Sequence, residues 1–149
     1  MKIAARFEEL GFTVLPVATP VSIALVAHNG CYLVGRRGPD APLAGYFEFP
    51  GGKCHPGESP AACVVRECLE ETGLAIEVIR LRREVFHTYS YGSVHLHFFD
   101  CRLLTRDRVG SDHTQPFREF DWVPMTQLAE INFPEPNRQL VDELLAEAT

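Results

Sequence analysis

The apolar run Val21–Ala27 predicts a buried strand, and the Asn29-Gly30 pair that follows predicts a tight turn into a second strand over Cys31–Arg36. A Pro- and Gly-rich loop runs from there to Gly45, and Tyr46–Phe49 predicts a brief strand cut short by Pro50-Gly51-Gly52. Ser59 as N-cap, Pro60 at the first helical position and Gly73 just past the end bracket a helix from Pro60 to Thr72. At 100° per residue Ala61, Ala62, Val65, Cys68 and Leu69 make a stripe expected to pack on a sheet. Glu67, Glu70 and Glu71 are then expected on the opposite side.

Further along, Ile76–Thr88 and Val94–Leu104 read as strands joined by a turn at Ser90-Tyr91-Gly92-Ser93. In the second, Val94, Leu96 and Phe98 alternate with His95, His97 and Phe99, so the histidines are expected on a polar sheet face, the alternative being that they line a pocket if that face lies over the acidic helix. Arg118–Val123 predicts another strand with Trp122 buried and Pro124 ending it, Thr126–Glu130 a helical turn, and Leu140, Val141, Leu144 and Leu145 a final amphipathic helix. Near the start, Ile3, Ala4, Phe7 and Leu10 have helical spacing with Gly11 as a stop; a strand through Phe12–Leu15 is the alternative. Strands and helices interleave irregularly, which predicts an α/β (α+β) fold with a mixed sheet between helices.

Composition narrows this to one soluble domain over residues 1–149, with 1–15 as an N-terminal extension. The net charge of −6 argues against stable binding to nucleic acid or an anionic membrane surface. No apolar run reaches the ~18–20 residues of a membrane span, and the first residues mix both charges where a signal peptide would be apolar. Five cysteines without a Cys-x-x-Cys pair read as reduced thiols, pointing to the cytoplasm. Cys54-His55 beside Cys63 fits no common zinc spacing. Oligomeric state stays open between monomer and homodimer.

The chemistry lies in Glu67, Glu70 and Glu71, whose i, i+3, i+4 spacing puts three carboxylates on one helix face. Like charges so placed cost a helix roughly a few tenths of a kcal/mol per pair, an expense a cation-binding face explains. Carboxylates without histidine among them favour hard cations, Mg²⁺ or Mn²⁺, over zinc. Backbone groups of Gly51-Gly52 could complete the shell, with Arg66 placed to pair with Glu70 one turn on. There is no Gly-Lys-Ser/Thr phosphate loop and no serine or cysteine nucleophile in a recognisable setting, so hydrolysis by water is the economical reaction.

The stretch from Gly52 to Leu74 resembles the Nudix box, G-x5-E-x7-R-E-U-x-E-E-x-G-U, with U bulky and aliphatic. Gly52, Glu58, Arg66, Glu67, Glu70, Glu71, Gly73 and Leu74 match, and Cys68 takes the first U position. The resemblance implies an α/β/α sandwich and metal-dependent hydrolysis of a nucleoside diphosphate linked to another group. It also implies metal ligands at Glu67, Glu70, Glu71 and the Gly51 carbonyl, an orienting role for Arg66, and Glu58 near the metal. Phe47-Glu48-Phe49-Pro50-Gly51-Gly52-Lys53 and Phe133-Pro134-Glu135-Pro136-Asn137 are similar to stretches of MutT-type nucleoside triphosphate pyrophosphohydrolases. By that likeness Asn137 reads an oxidised guanine edge, Arg37 contacts phosphate or base, and Phe49 walls the pocket; N-capping the last helix is the structural alternative for Asn137. Glu119 is the candidate for a further glutamate, metal-binding or basic, with Asp112 and Asp121 behind it.

The chain departs from MutT-type members at Pro42-Leu43, where polar base contacts are frequent, and at Tyr91-Gly92, where some carry Asp-Arg. The leading expectation is a MutT-like hydrolase releasing nucleoside monophosphate and pyrophosphate from a small-molecule nucleotide. Tyr91 keeps dinucleoside polyphosphates open as substrates, and ADP-ribose is a further option although the proline of such members is missing. A non-catalytic lesion-sensing module is the alternative of another class, but those generally lack a full set of box glutamates.

Overall fold

Asn29 and Gly30 both adopt positive φ, 49° and 75°, the conformation a two-residue turn with right-handed strand twist requires. They join β1 (Thr19–His28) to β2 (Cys31–Arg36). Short strands β3 (Phe47–Glu48) and β4 (Gly51–Lys53) follow, then helix α1 (Pro60–Thr72), β5 (Ile76–Tyr89), β6 (Gly92–Leu103) and β7 (Phe120–Pro124). A 3-10 helix, Met125–Glu130, leads to helix α2 (Glu135–Glu147). This computed structural model describes residues 18–40, 44–90, 92–104, 114–117 and 119–148. The expectations for residues 1–15, Pro42-Leu43, Tyr91, Asp112 and Arg118 lie outside the described residues.

The strands form one mixed sheet in the order β3-β2-β1-β6-β5, with β4 also on β1 and β7 also on β2. β1 and β6 run parallel, with Ser22 opposite His97; the other pairings are antiparallel. Alternation along the central strands serves two cores. On one face Ala24, Val26, Phe99 and Cys101 meet Val64 and Cys68 of α1. On the other Ile23, Leu25, Leu96 and Phe98 meet Leu140 and Val141 of α2. The result is the expected α/β/α sandwich.

Strand ends shift by a residue or two: β6 begins at Gly92 rather than Val94, because Gly92 and Ser93 already pair with Tyr89 and Thr88. Pro124 closes β7 from inside the ladder, opposite Cys31. A charged clamp holds α2 against the sheet edge. Arg82 Nε donates to Asp100 at 2.7 Å, and the same guanidinium reaches Glu143 at 3.2 Å and also Glu147. All five cysteines are unpaired thiols, and burial pushes Cys63 and Cys101 up to about 12, out of the reactive range. Among the described residues no helix is long and apolar enough to cross a membrane.

Candidate active site

The ends of α1 form as expected. Ser59 Oγ accepts from Ala62 N at 3.1 Å, and Gly73, at φ 75°, returns its N–H to the Leu69 carbonyl. Its orientation differs from the expected one. The buried residues are Cys63, Val64, Cys68 and Thr72, whereas Ala61, Ala62 and Leu69 are exposed, Leu69 at 51%. The helix is therefore rolled so that Glu67 and Glu71 point at the sheet margin, over β4, and not away from it. Two contacts enforce this roll. Gly51 N donates to Glu71 Oε1 at 2.9 Å, and the Glu67 carboxylate lies on the Gly52 backbone. A Cβ on Gly52 would stand 2.4 Å from the Glu67 carboxyl carbon, so any side chain there would displace that carboxylate.

Arg66 organises the acids. Nε and Nη2 grip Glu58 at 2.7 and 2.9 Å, while Nη1 donates to Glu67 at 3.0 Å and to Glu70 at 3.1 Å. Nη2 also donates to the Lys53 carbonyl at 3.1 Å, tying the helix to the end of β4. The fork–fork pair and the His55 N–H hold the Glu58 carboxyl down at about 2. Glu58 is thus anchored in the loop that enters α1, and it is ionised at every working pH. Glu70, 57% exposed, projects from the rim.

Glu71 is the opposite case. Burial pushes its carboxyl up to about 7, the neighbouring Glu48, Glu67 and Glu70 add to the rise, and the Gly51 N–H only partly offsets them. Four carboxylates compete here for too little positive charge. The all-oxygen donor set and the glycine floor fit a small hard divalent cation. Glu67, Glu70 and Glu71 are the residues that would hold it, with Gly51 supplying backbone.

Glu48 was not singled out by sequence reasoning. It is half-buried in β3, its carboxyl is raised by burial, and Arg37 Nη1 donates to it at 3.0 Å. The available signal was a lone acid between Phe47 and Phe49 immediately before the glycine loop.

A family model described as NUDIX domain matches residues 21–143. The chain belongs to the NUDIX family. It is 28% identical over 116 residues to the 8-oxo-dGTP diphosphatase of Escherichia coli K12, covering 78% of this chain and 87% of that one. With the 8-oxo-dGTP diphosphatase of Haemophilus influenzae the identity is 32% over 119 residues, covering 78% and 82%. In fold it is similar to the MutT protein of Methanosarcina mazei Go1, with TM-score 0.72 and 23% identity over 92% of this chain and 99% of that one. The protein is a Nudix hydrolase, an enzyme of a family that generally requires a divalent metal.

The Nudix helix thus gathers Glu58, Arg66, Glu67, Glu70, Glu71 and Gly51 into one site. A second group assembles beside it around β3. Arg37 pairs with Glu48, and the Phe47 N–H donates to the Asn132 carbonyl at 2.7 Å, which docks the loop before α2 onto β3. Phe49, 3% exposed, stacks on Phe133 at 5.0 Å. Its ring is packed in the core. Asn137 lies in the first turn of α2, one that starts at Glu135 after Pro134. It is not the N-cap; it is 8% exposed. Glu119 is exposed in the turn before β7, its carbonyl accepting Arg36 N at 3.3 Å; Asp121 turns its carboxylate back to its neighbour's Trp122 N–H at 2.8 Å.

The Glu71 carboxyl makes pH a readout of the site. As the metal-free protein holds a proton that the unfolded chain releases, Glu71 contributes stability below its ordinary value of 4.5 that is lost as pH rises towards about 7. A cation must displace that proton, so affinity for Mg²⁺ rises with pH up to about 7 and then levels. Calorimetric titration from pH 5.5 to 8 should show this slope in wild type. Glu71→Gln should flatten it, with weaker binding throughout.

Proposed function

We propose that the chain hydrolyses nucleoside triphosphates, an oxidised purine triphosphate above all, to the monophosphate and pyrophosphate with Mg²⁺ or Mn²⁺. The supporting observation is the juncture at β3–β4. Glu48 raises Glu71 through space and is paired with Arg37, so the acidic face and Arg37 meet at β3. A triphosphate laid over Gly51-Gly52 would meet the carboxylates with its phosphates and Asn137 with its base. The 8-oxo-dGTP diphosphatases among its relatives support the same class of substrate.

The bound cation would neutralise phosphate charge and make water a better nucleophile near neutral pH. Arg66 keeps Glu67 and Glu70 apart and aimed, which holds their geometry before substrate arrives. Glu58, fixed by Arg66, keeps the loop that leaves Gly52 closed against α1. Glu119, on the open side next to Arg36, is assigned the general base. Asn137 reads the base edge, because a carboxamide both donates and accepts and this one, 92% hidden, has no protein partner among the described residues. The nucleotide binds as a small molecule, with no nucleic acid or membrane involved.

Asn137→Ala tests the base assignment. It should lower kcat/KM for 8-oxo-dGTP by about 10²-fold, since a site built to hydrogen-bond loses that much when the bond is left unmade. The rate on dGTP should fall less than fivefold. Equal losses on both would remove the base-reading role without touching the hydrolysis.

A further inference from the structure

Outside the acidic face, three ligand-bearing side chains converge on the β5–β6 ladder. Glu84 Oε1 lies 3.0 Å from His95 Nε2 and 3.5 Å from His97 Nε2, and the three ligand atoms lie within 4.8 Å of one another. His95 and His97 are two apart on β6, so both rings project from one face, and Glu84 stands opposite His97 in register. We propose that Glu84, His95 and His97 form a second metal site, one for a borderline transition cation of the zinc type, separate from the magnesium-type carboxylate face.

The contacts converge on a point that favours positive charge, whether a proton or a metal ion. His97 Nδ1 lies 3.4 Å from the Val21 carbonyl, which can only accept, so Nδ1 carries the proton. In the neutral ring Nε2 then offers a lone pair to a carboxylate oxygen that also offers one. A cation between them turns this repulsion into coordination. The contact to Val21 is the kind of carbonyl–imidazole support that fixes a ligating histidine. The two short separations bracket the edge of about 3.3 Å that a tetrahedron of bonds near 2.0–2.1 Å would have.

The rings are held in advance of any metal. His95 stacks on Phe86 at 4.1 Å with 15° between planes, and His97 lies 4.0 Å from His95. His97 is 8% exposed, His95 24% and Glu84 50%, so the site opens to solvent on the Glu84 side and leaves a position for water. Imidazole ligands prefer zinc, cobalt or nickel, whereas magnesium takes oxygen, so the histidine site discriminates against magnesium. Gly52, Ser22, His97 and Glu84 occupy successive strands in one row. At about 4.8 Å per strand this sets His97 roughly 10 Å from Gly52, beyond shared ligation.

The test is titration of the whole chain with Co²⁺ and Zn²⁺ in millimolar Mg²⁺, following cobalt d–d absorption and calorimetric heat. One equivalent should bind with a tetrahedral spectrum. His95→Gln, at a half-buried position, should weaken it by about 10²-fold, and Glu84→Gln by at least tenfold, with melting temperatures near wild type. Glu70→Gln should leave it unchanged. Absence of binding, equal binding by His95→Gln, or loss of binding in Glu70→Gln would overturn the second site. None of these results bears on hydrolysis at the first.

Discussion

Glu70→Gln is expected to lower turnover about 10³-fold while moving the melting temperature by no more than about 3 °C. The two halves of that expectation have separate causes. Glu70 is 57% exposed, and its one side-chain hydrogen bond among the described residues, to Arg66, links i to i+4 on a solvated helix face. Pairs of that kind contribute about 0.3–0.5 kcal/mol, which a glutamine partly keeps. For cation binding, however, glutamine removes a full charge from a set of three, and the transition state of a phosphoanhydride depends on that charge being offset. A kinetic assay beside a thermal melt separates the two effects. Unchanged turnover would mean the cation is held elsewhere.

The adjacent glycines should behave oppositely. In Gly51→Ala the new Cβ would stand 2.3 Å from the Ser22 carbonyl oxygen and 3.0 Å from Ile23 Cα, both backbone. Neither can turn aside, so β4 must peel from β1; a loss of about 3 kcal/mol and roughly 10 °C in melting temperature is expected. In Gly52→Ala the Cβ meets the tip of Glu67 at 2.4 Å, which is a flexible end. The carboxylate swings away and the fold survives. Displacing a positioned group by about an ångström costs on the order of 10² in rate, and that is the expected loss. Melts and rates on the two variants should therefore cross: one unstable, the other stable and slow.

That contrast also shows what could be read from the residues alone. Ser59, Pro60 and Gly73 marked both ends of α1 because capping is decided within a few residues. Asn29-Gly30 marked the first hairpin for the same reason. The box residues marked the reaction. The roll of α1 was not legible, since it depends on Gly51 and Gly52 lying in a strand paired with Val21–Ile23, some thirty residues earlier. A stripe including Leu69 looked like the buried face; packing chose Cys63 and Val64, which bring Glu67 and Glu71 to β4.

Glu48 was hidden for a related reason. Its importance arises from burial and from Arg37 across the β2–β3 pair, neither visible in a two-residue strand. Asn137 was visible, but its alternative as a helix cap could be set aside only by the helix starting at Glu135. In the sequence the histidines of β6 alternate as a polar face should, yet His97 is buried. Only the cross-strand partner Glu84 distinguishes a cluster from a decorated surface.

The central claim is that the acids of α1, seated on Gly51-Gly52, cleave a nucleoside triphosphate with a divalent cation. The most direct measurement is ³¹P NMR of 8-oxo-dGTP incubated with the protein and Mg²⁺ at mildly alkaline pH, with a chelated control. Appearance of monophosphate and pyrophosphate in equal amounts, only when Mg²⁺ is present, is the predicted result. No cleavage of this or any other phosphoanhydride under those conditions would contradict it.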